Sequence, residues 1–158
     1  RGEVFRIRPE NELEIFRRFP DLIYLNGLAV TADGGRLYLG HYGGLSVVSP
    51  SDGTIEAVGG KNMALGMVDG MTWVDHRLVI VQNSRHVGFR VVRVDLDENT
   101  GHAERLDVLP SGLPEGLIPY TCAVSGDEVF VVAGAPFELM DLDEEPPAPA
   151  VVRMSLAR

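Results

Sequence analysis

The chain repeats itself. Asn26-Gly27-Leu28-Ala29-Val30 is followed by Thr31-Ala32-Asp33-Gly34-Gly35 and then by Arg36-Leu37-Tyr38-Leu39. Asp69-Gly70-Met71-Thr72-Trp73-Val74 is followed by Asp75-His76 and then by Arg77-Leu78-Val79-Ile80-Val81. Tyr120-Thr121-Cys122-Ala123-Val124 is followed by Ser125-Gly126-Asp127 and then by Glu128-Val129-Phe130-Val131-Val132. Each unit is a short apolar strand, a tight polar turn and a second apolar strand. Gly27 and Gly70 are 43 positions apart, and Gly70 and Thr121 are 51 apart. A period of roughly 40–50 residues is that of a four-stranded propeller blade.

The rest of each unit agrees. A third, alternating strand is predicted over Leu45–Val48, Arg90–Asp95 and Val151–Leu156; alternation of this kind marks a half-buried antiparallel strand. Turns follow at Ser51-Asp52-Gly53-Thr54 and Glu98-Asn99-Thr100-Gly101, and a fourth strand closes the unit at Thr54–Val58 and Ala103–Leu109. Asp-Gly pairs supply the positive φ angles that two-residue hairpins need. The start reads as the back half of an earlier unit, Glu3–Arg8 and Leu13–Phe19. No helix is predicted: Glu138–Glu145 holds helix formers, but Pro136 precedes it and Pro146, Pro147 and Pro149 follow, so an exposed acidic loop is expected.

The expected fold is therefore all-β: about three blades of four-stranded antiparallel sheet, a fragment of a six-bladed β-propeller. Residues 1–19 end one blade, 26–58 form a second, 69–109 a third, and 120–158 an incomplete last one. A closed propeller needs about four to eight blades, and neither end of the chain carries the polar cap that an open array requires. The chain begins with Arg1 rather than Met. The expectation is the C-terminal half of a larger propeller, completed by an N-terminal half.

Charge narrows the partners. Fourteen basic against 23 acidic side chains leave a net charge of −9, and Lys61 is the single lysine. Nucleic-acid grooves and anionic membranes need clustered cations, so neither is an expected partner. No apolar run approaches the ~18 residues that span a bilayer. One cysteine, Cys122, excludes an intrachain disulfide and a multi-cysteine zinc site. The protein is expected to be soluble; the sequence leaves its compartment open, with the cytoplasm preferred.

Propeller topology sorts the loops by face. The starts of the inner strands carry Asn26, Asp69 and Tyr120-Thr121, all at one mouth of the channel. His41-Tyr42-Gly43-Gly44, Asn83-Ser84-Arg85-His86 and the 138–145 loop rise around them, with the linkers 20–25, 61–68 and 110–119. An amide oxygen at Asn26 and a carboxylate at Asp69 are hard ligands suited to Ca²⁺, Mg²⁺ or Mn²⁺, and tolerated by Zn²⁺. Asn-Gly and Asp-Gly are also plain turn formers, and that alternative stays open. His41 is read as a substrate contact or as a rim histidine with its ring in water. Asn83 is read as a substrate hydrogen-bonder, and Arg85 and His86 as loop residues able to meet a carboxylate. His76 and His102 fall in opposite-face turns. Met63, Met67, Met71 and Trp73 are read as packing between blades, and Cys122 as buried and inert. Serine-elbow, phosphate-loop and His-Glu-Xaa-Xaa-His signatures are absent.

Leu25-Asn26-Gly27-Leu28, Val68-Asp69-Gly70-Met71 and Tyr120-Thr121-Cys122-Ala123-Val124-Ser125-Gly126 follow in the order and rough spacing of the regucalcin/gluconolactonase (senescence marker protein) family. The resemblance covers about residues 20–135. It implies a six-bladed propeller holding one divalent cation (Ca, Zn, Mg or Mn) and hydrolysing a small sugar-type lactone. It places metal ligands at Asn26 and Asp69, with Asp69 also the proton acceptor; His41, Asn83 and Thr121 are the candidate substrate contacts. A further glutamate and asparagine ligand come, in that family, from earlier blades that this chain lacks. Two other readings stay open: a non-catalytic NHL-like propeller binding a peptide or protein on the channel face, and a strictosidine-synthase-like enzyme.

Overall fold

The computed structural model describes residues 2–60, 62–84, 88–110, 112–136 and 146–157. Arg85, His86 and the acidic loop at 138–145 lie outside the described residues. Strands β1 (Gly2–Ile7) and β2 (Leu13–Phe19) form a two-stranded antiparallel sheet. β3 (Leu28–Val30), β4 (Leu37–His41), β5 (Gly44–Val48) and β6 (Ile55–Ala57) form the next, in sequential order. β7 (Val68–Val74), β8 (Arg77–Ser84), β9 (Gly88–Leu96) and β10 (Ala103–Val108) form the third. β11 (Ile118–Ser125), β12 (Glu128–Gly134) and β13 (Ala150–Ser155) form the last. Every pairing is antiparallel between chain neighbours, and no helix occurs among the described residues.

Side-chain alternation decides how the sheets stack. On β8, Leu78 and Ile80 face a core shared with Tyr38, Val47, Val68, Val92 and Val94. Val79 and Val81, pointing the other way, join Val91, Leu109, Val129, Val131 and Met154. All four are fully buried, which is why this strand reads as an unbroken apolar run rather than an alternating one. A third core, Val4, Phe19, Leu37, Leu39 and Val48, joins the first two sheets. Each large aliphatic side chain buried this way contributes about 1.5–3 kcal/mol, as an upper figure. The result is a row of meanders packed face to face, with β3 and β4 against β7, and β7, β8 and β9 against β11. This is a partial β-propeller, as the repeat predicts.

The hairpins use the expected chemistry. Gly34, Gly53, Gly101 and Gly126 all have positive φ. The β7–β8 turn is different: Asp75 (φ 43°) and His76 (φ 60°) both adopt the left-handed region without a glycine. That pair of angles is what a two-residue hairpin turn demands.

Candidate functional site

Asn26-Gly27 and Asp69-Gly70 are not turns. Each dipeptide sits at the start of an inner strand, where the pairing register slips by one residue. Gly40 accepts from the Asn26 amide (3.0 Å) and donates to the Gly27 carbonyl (2.8 Å), so two residues oppose one. In the next sheet Val68 pairs with Gln82 but Met71 with Ile80, leaving Asp69 and Gly70 opposite Val81 alone. In the last, Pro119 pairs with Ala133 and Thr121 with Val132, leaving Tyr120 extra. The same β-bulge thus recurs three times at one position of the repeat. A bulge bends its strand and re-aims its side chains.

The glycines serve close approach. A Cβ on Gly27 would lie 2.6 Å from Val68 Cγ1, and one on Gly70 would lie 2.6 Å from Thr121 Oγ1 and 2.7 Å from Thr121 Cα. Real Cβ atoms do not sit there, so glycine lets adjacent inner strands touch. Neither glycine has the positive φ of a turn former.

The consequence is a polar cluster across two sheets. Asn26 Nδ2 donates to Asp69 Oδ1 at 2.5 Å. Asn83 Nδ2, from β8, donates to Asp69 Oδ2 at 2.5 Å. Asn83 Oδ1 is buried and has no hydrogen-bond partner. Asn26, Asp69, Tyr120 and Thr121 line an open cavity of about 370 Å³ with Leu28, Met71 and the two glycines. Asn83 stands behind Asp69, not in that lining. Burial lifts the Asp69 carboxyl above its ordinary range, and the amide donors Asn83 and Asn26 pull it partly back. A carboxylate oxygen has two lone pairs, so each Asp69 oxygen keeps one for another partner.

His41 lies apart from this cavity. Its half-buried ring bonds Ser46 Oγ (3.2 Å) on the neighbouring strand of its own sheet, and burial lowers its pKa, which favours the neutral ring. Cys122 Sγ donates to Val79 O at 3.6 Å, and burial pushes the thiol up to about 12. It stays protonated and unreactive at neutral pH. A second hollow of about 250 Å³ opens at the other end of the sheets, near Trp73, Tyr38, Arg36 and Asp33. Its polar groups serve the turns themselves: Arg36 donates to the Glu98 and Asn99 carbonyls, and Asp33 accepts from Thr31 and Gly35.

Sequence reasoning passed over Gln82 and Arg90. Gln82 is fully buried; its Nε2 donates to the Ala64 (2.8 Å) and Gly66 (2.7 Å) carbonyls, and its Oε1 accepts from Arg90 Nε at 2.9 Å. The legible signal was a glutamine closing the apolar run Leu78–Val81.

The donor set fits a hard divalent cation. Asn26 and Asp69 present an amide and a carboxylate to the cavity, and an asparagine amide presents either its nitrogen or its oxygen after a half-turn. No group of three His, Cys, Asp or Glu gathers among the described residues, so a soft, thiolate- or imidazole-rich site is not formed by them.

No family model and no curated protein sequence matches the chain. Solved structures do. The chain is similar to a luciferin-regenerating enzyme, with a TM-score of 0.68 and 17% identity, covering 97% of this chain and 51% of that one. It is similar to a calcium-binding protein, regucalcin, from Agrobacterium tumefaciens strain C58, with a TM-score of 0.60 and 16% identity, covering 88% and 46%. A nidogen/laminin complex matches with a TM-score of 0.56 and 15% identity, covering 78% and 47%. The chain spans about half the length of these structures. At such identities the likeness establishes the propeller fold, and regucalcin and the luciferin-regenerating enzyme stand among its structural neighbours.

Proposed function

We propose that this chain supplies the C-terminal blades of a six-bladed propeller that holds one divalent cation and hydrolyses a small lactone or ester. The single observation that supports it most is the Asp69 carboxylate gripped from two sheets by Asn26 and Asn83 beside an open cavity. The resemblance of the Asn26-Gly27 and Asp69-Gly70 segments to regucalcin/gluconolactonase motifs points the same way, as does a calcium-binding neighbour of the same fold. The remaining ligands, a glutamate and an asparagine in that family, belong to earlier blades. The substrate expected from the resemblance is a sugar-type lactone.

Asn26 and Asp69 would hold the cation. When bound, a divalent cation polarises the lactone carbonyl, stabilises negative charge on its oxygen and lowers the pKa of bound water. Asp69 orients the attacking water and takes its proton at a carboxylate oxygen. Asn83 holds the carboxylate by its second oxygen, and Thr121, which lines the same cavity as Asp69, is the expected hydrogen-bond partner of the substrate.

The test is metal analysis of the intact protein, then a lactone panel with and without chelator. Chelation is expected to abolish hydrolysis, and one cation to restore it. Asp69→Ala is expected to lower kcat by about 10²- to 10⁴-fold, the usual worth of a general base, and to weaken cation affinity. Asp52→Ala, in a turn at the opposite end of the sheet, is expected to do neither. Unchanged hydrolysis in the Asp69 variant removes it from the site; peptide or protein capture without hydrolysis or cation dependence favours the binding-module reading.

A further inference from the structure

Asp69 directly follows an irregular linker, and what fixes that linker is the buried amide of Gln82. Residues 58–60 and 62–67 lie between one sheet and the next with little regular pairing. Met67, two positions before Asp69, is held in the left-handed region at φ 57°. A non-glycine residue is strained there and persists only where its surroundings over-determine it. Here they do. The Met67 amide donates to Tyr42 O (3.1 Å) of the preceding sheet, and the Met67 carbonyl accepts from the Asn83 amide (3.0 Å). Gln82 Nε2 binds the Ala64 and Gly66 carbonyls together, and Arg90 Nη2 reaches the Ala64 carbonyl as well, at 3.3 Å. Gly66 is pressed against the second sheet so closely that a Cβ would lie 2.6 Å from Tyr42 O.

A fully buried glutamine is costly unless both ends of its amide are paired. Gln82 meets that condition through irregular backbone and one arginine. It also pairs in register with Val68, immediately before the bulge that carries Asp69. We infer that Gln82, clamped by Arg90, is a positioning residue: it locks linker residues 64–67 so that the strained Met67 and the bulge after it aim the Asp69 carboxylate between Asn26 and Asn83. The geometry being set is the carboxylate–amide cluster itself; only its consequence for cation binding rests on the proposed role of Asp69.

The experiment uses the intact protein and four variants. Gln82→Met keeps the length of the side chain and removes its donors and acceptor. Val131→Ala, in the core between the last two sheets, is the control for loss of thermal stability. The first readout is the ¹⁵N–¹H spectrum of the Asn26 and Asn83 side-chain amides, which report their bonds to Asp69. The second is affinity for Ca²⁺, with terbium luminescence as the probe. Gln82→Met is expected to shift both amide signals and to weaken cation binding tenfold or more. Val131→Ala is expected to move neither. Adding Met67→Gly to Gln82→Met is expected to recover much of the loss, since glycine adopts the left-handed angle without the clamp. Arg90→Lys is expected to act in the same direction as Gln82→Met, more weakly, and serves if Gln82→Met does not fold. Unmoved amide signals in a folded Gln82→Met protein overturn the inference. If the unaltered protein binds neither Ca²⁺ nor terbium, the metal reading fails, while the amide signals still decide the clamp.

Discussion

At the scale of the residue, the site depends on what glycine leaves out. Gly27 lets the strand of Asn26 approach Val68 and Asp69, and Gly70 lets the strand of Asp69 approach Thr121 on its other side, where any side chain would push the neighbour away. Gly70→Ala forces a Cβ into the Thr121 backbone, and overpacking of that kind costs about 1–3 kcal/mol. The expected outcome is a lower urea midpoint together with weaker cation binding. Gly60 has open space around it and no positive φ, so Gly60→Ala is expected to stay within about 0.5 kcal/mol. Equal effects at the two positions would show that the close approach is unimportant. The dipeptides themselves were conspicuous in the sequence, but their role was not, since Asn-Gly and Asp-Gly serve equally well in a turn.

At the scale of the element, the hairpin turns and the contacts between sheets carry separate predictions. Asp33, Asp52 and Asp97 each sit in a turn, with carboxyls held below the ordinary range. The largest cause is the Thr31 hydroxyl for Asp33, the Thr54 amide for Asp52 and the Thr100 hydroxyl for Asp97. A depressed folded-state pKa means stability that is complete above the unfolded value, about 3.9 for aspartate, and lost as pH falls through the folded one. Urea midpoints are therefore expected to hold steady down to about pH 5 and to decline below the unfolded value. Asp52→Asn should flatten part of that decline. Between the last two sheets, Arg93 donates to Leu156 O (3.2 Å) and to Asp107 (2.7 Å), and lies 3.2 Å from Asp95. Its side chain is only 11% exposed. Arg93→Met leaves Leu156 O without its donor, while Asp107 keeps Arg105 and Asp95 keeps Arg77; the expected loss is about 2 kcal/mol, in the range of a hydrogen bond to a charged group. Hydrogen exchange should then quicken first in β13. Uniform quickening across all sheets would contradict this local role.

At the scale of the whole molecule, the first and last sheets each have one face that no further sheet covers among the described residues. Phe5, Ile7, Leu13 and Ile15 on the first sheet, and Val132 and Val151 on the last, are large apolar side chains left exposed. Exposed apolar sheet faces and unpaired edges drive association. Residues 1–158 on their own are expected to self-associate with rising concentration in sedimentation velocity. A monodisperse monomer at about 100 μM, far above the range of specific protein–protein binding constants, would show these faces to be harmless. What sequence alone determined was the repeat, the strand order within each sheet, the turns and the continuous apolar runs of doubly covered strands. Those features follow from local rules of φ angle and side-chain alternation. What only the tertiary structure decided was the recurrent bulge, the grip of Asn26 and Asn83 on Asp69, and the burial of Gln82 against the linker. Each of those depends on how one sheet is rotated onto the next. That rotation is the summed outcome of three separate cores, and no window of sequence shorter than two repeats contains it.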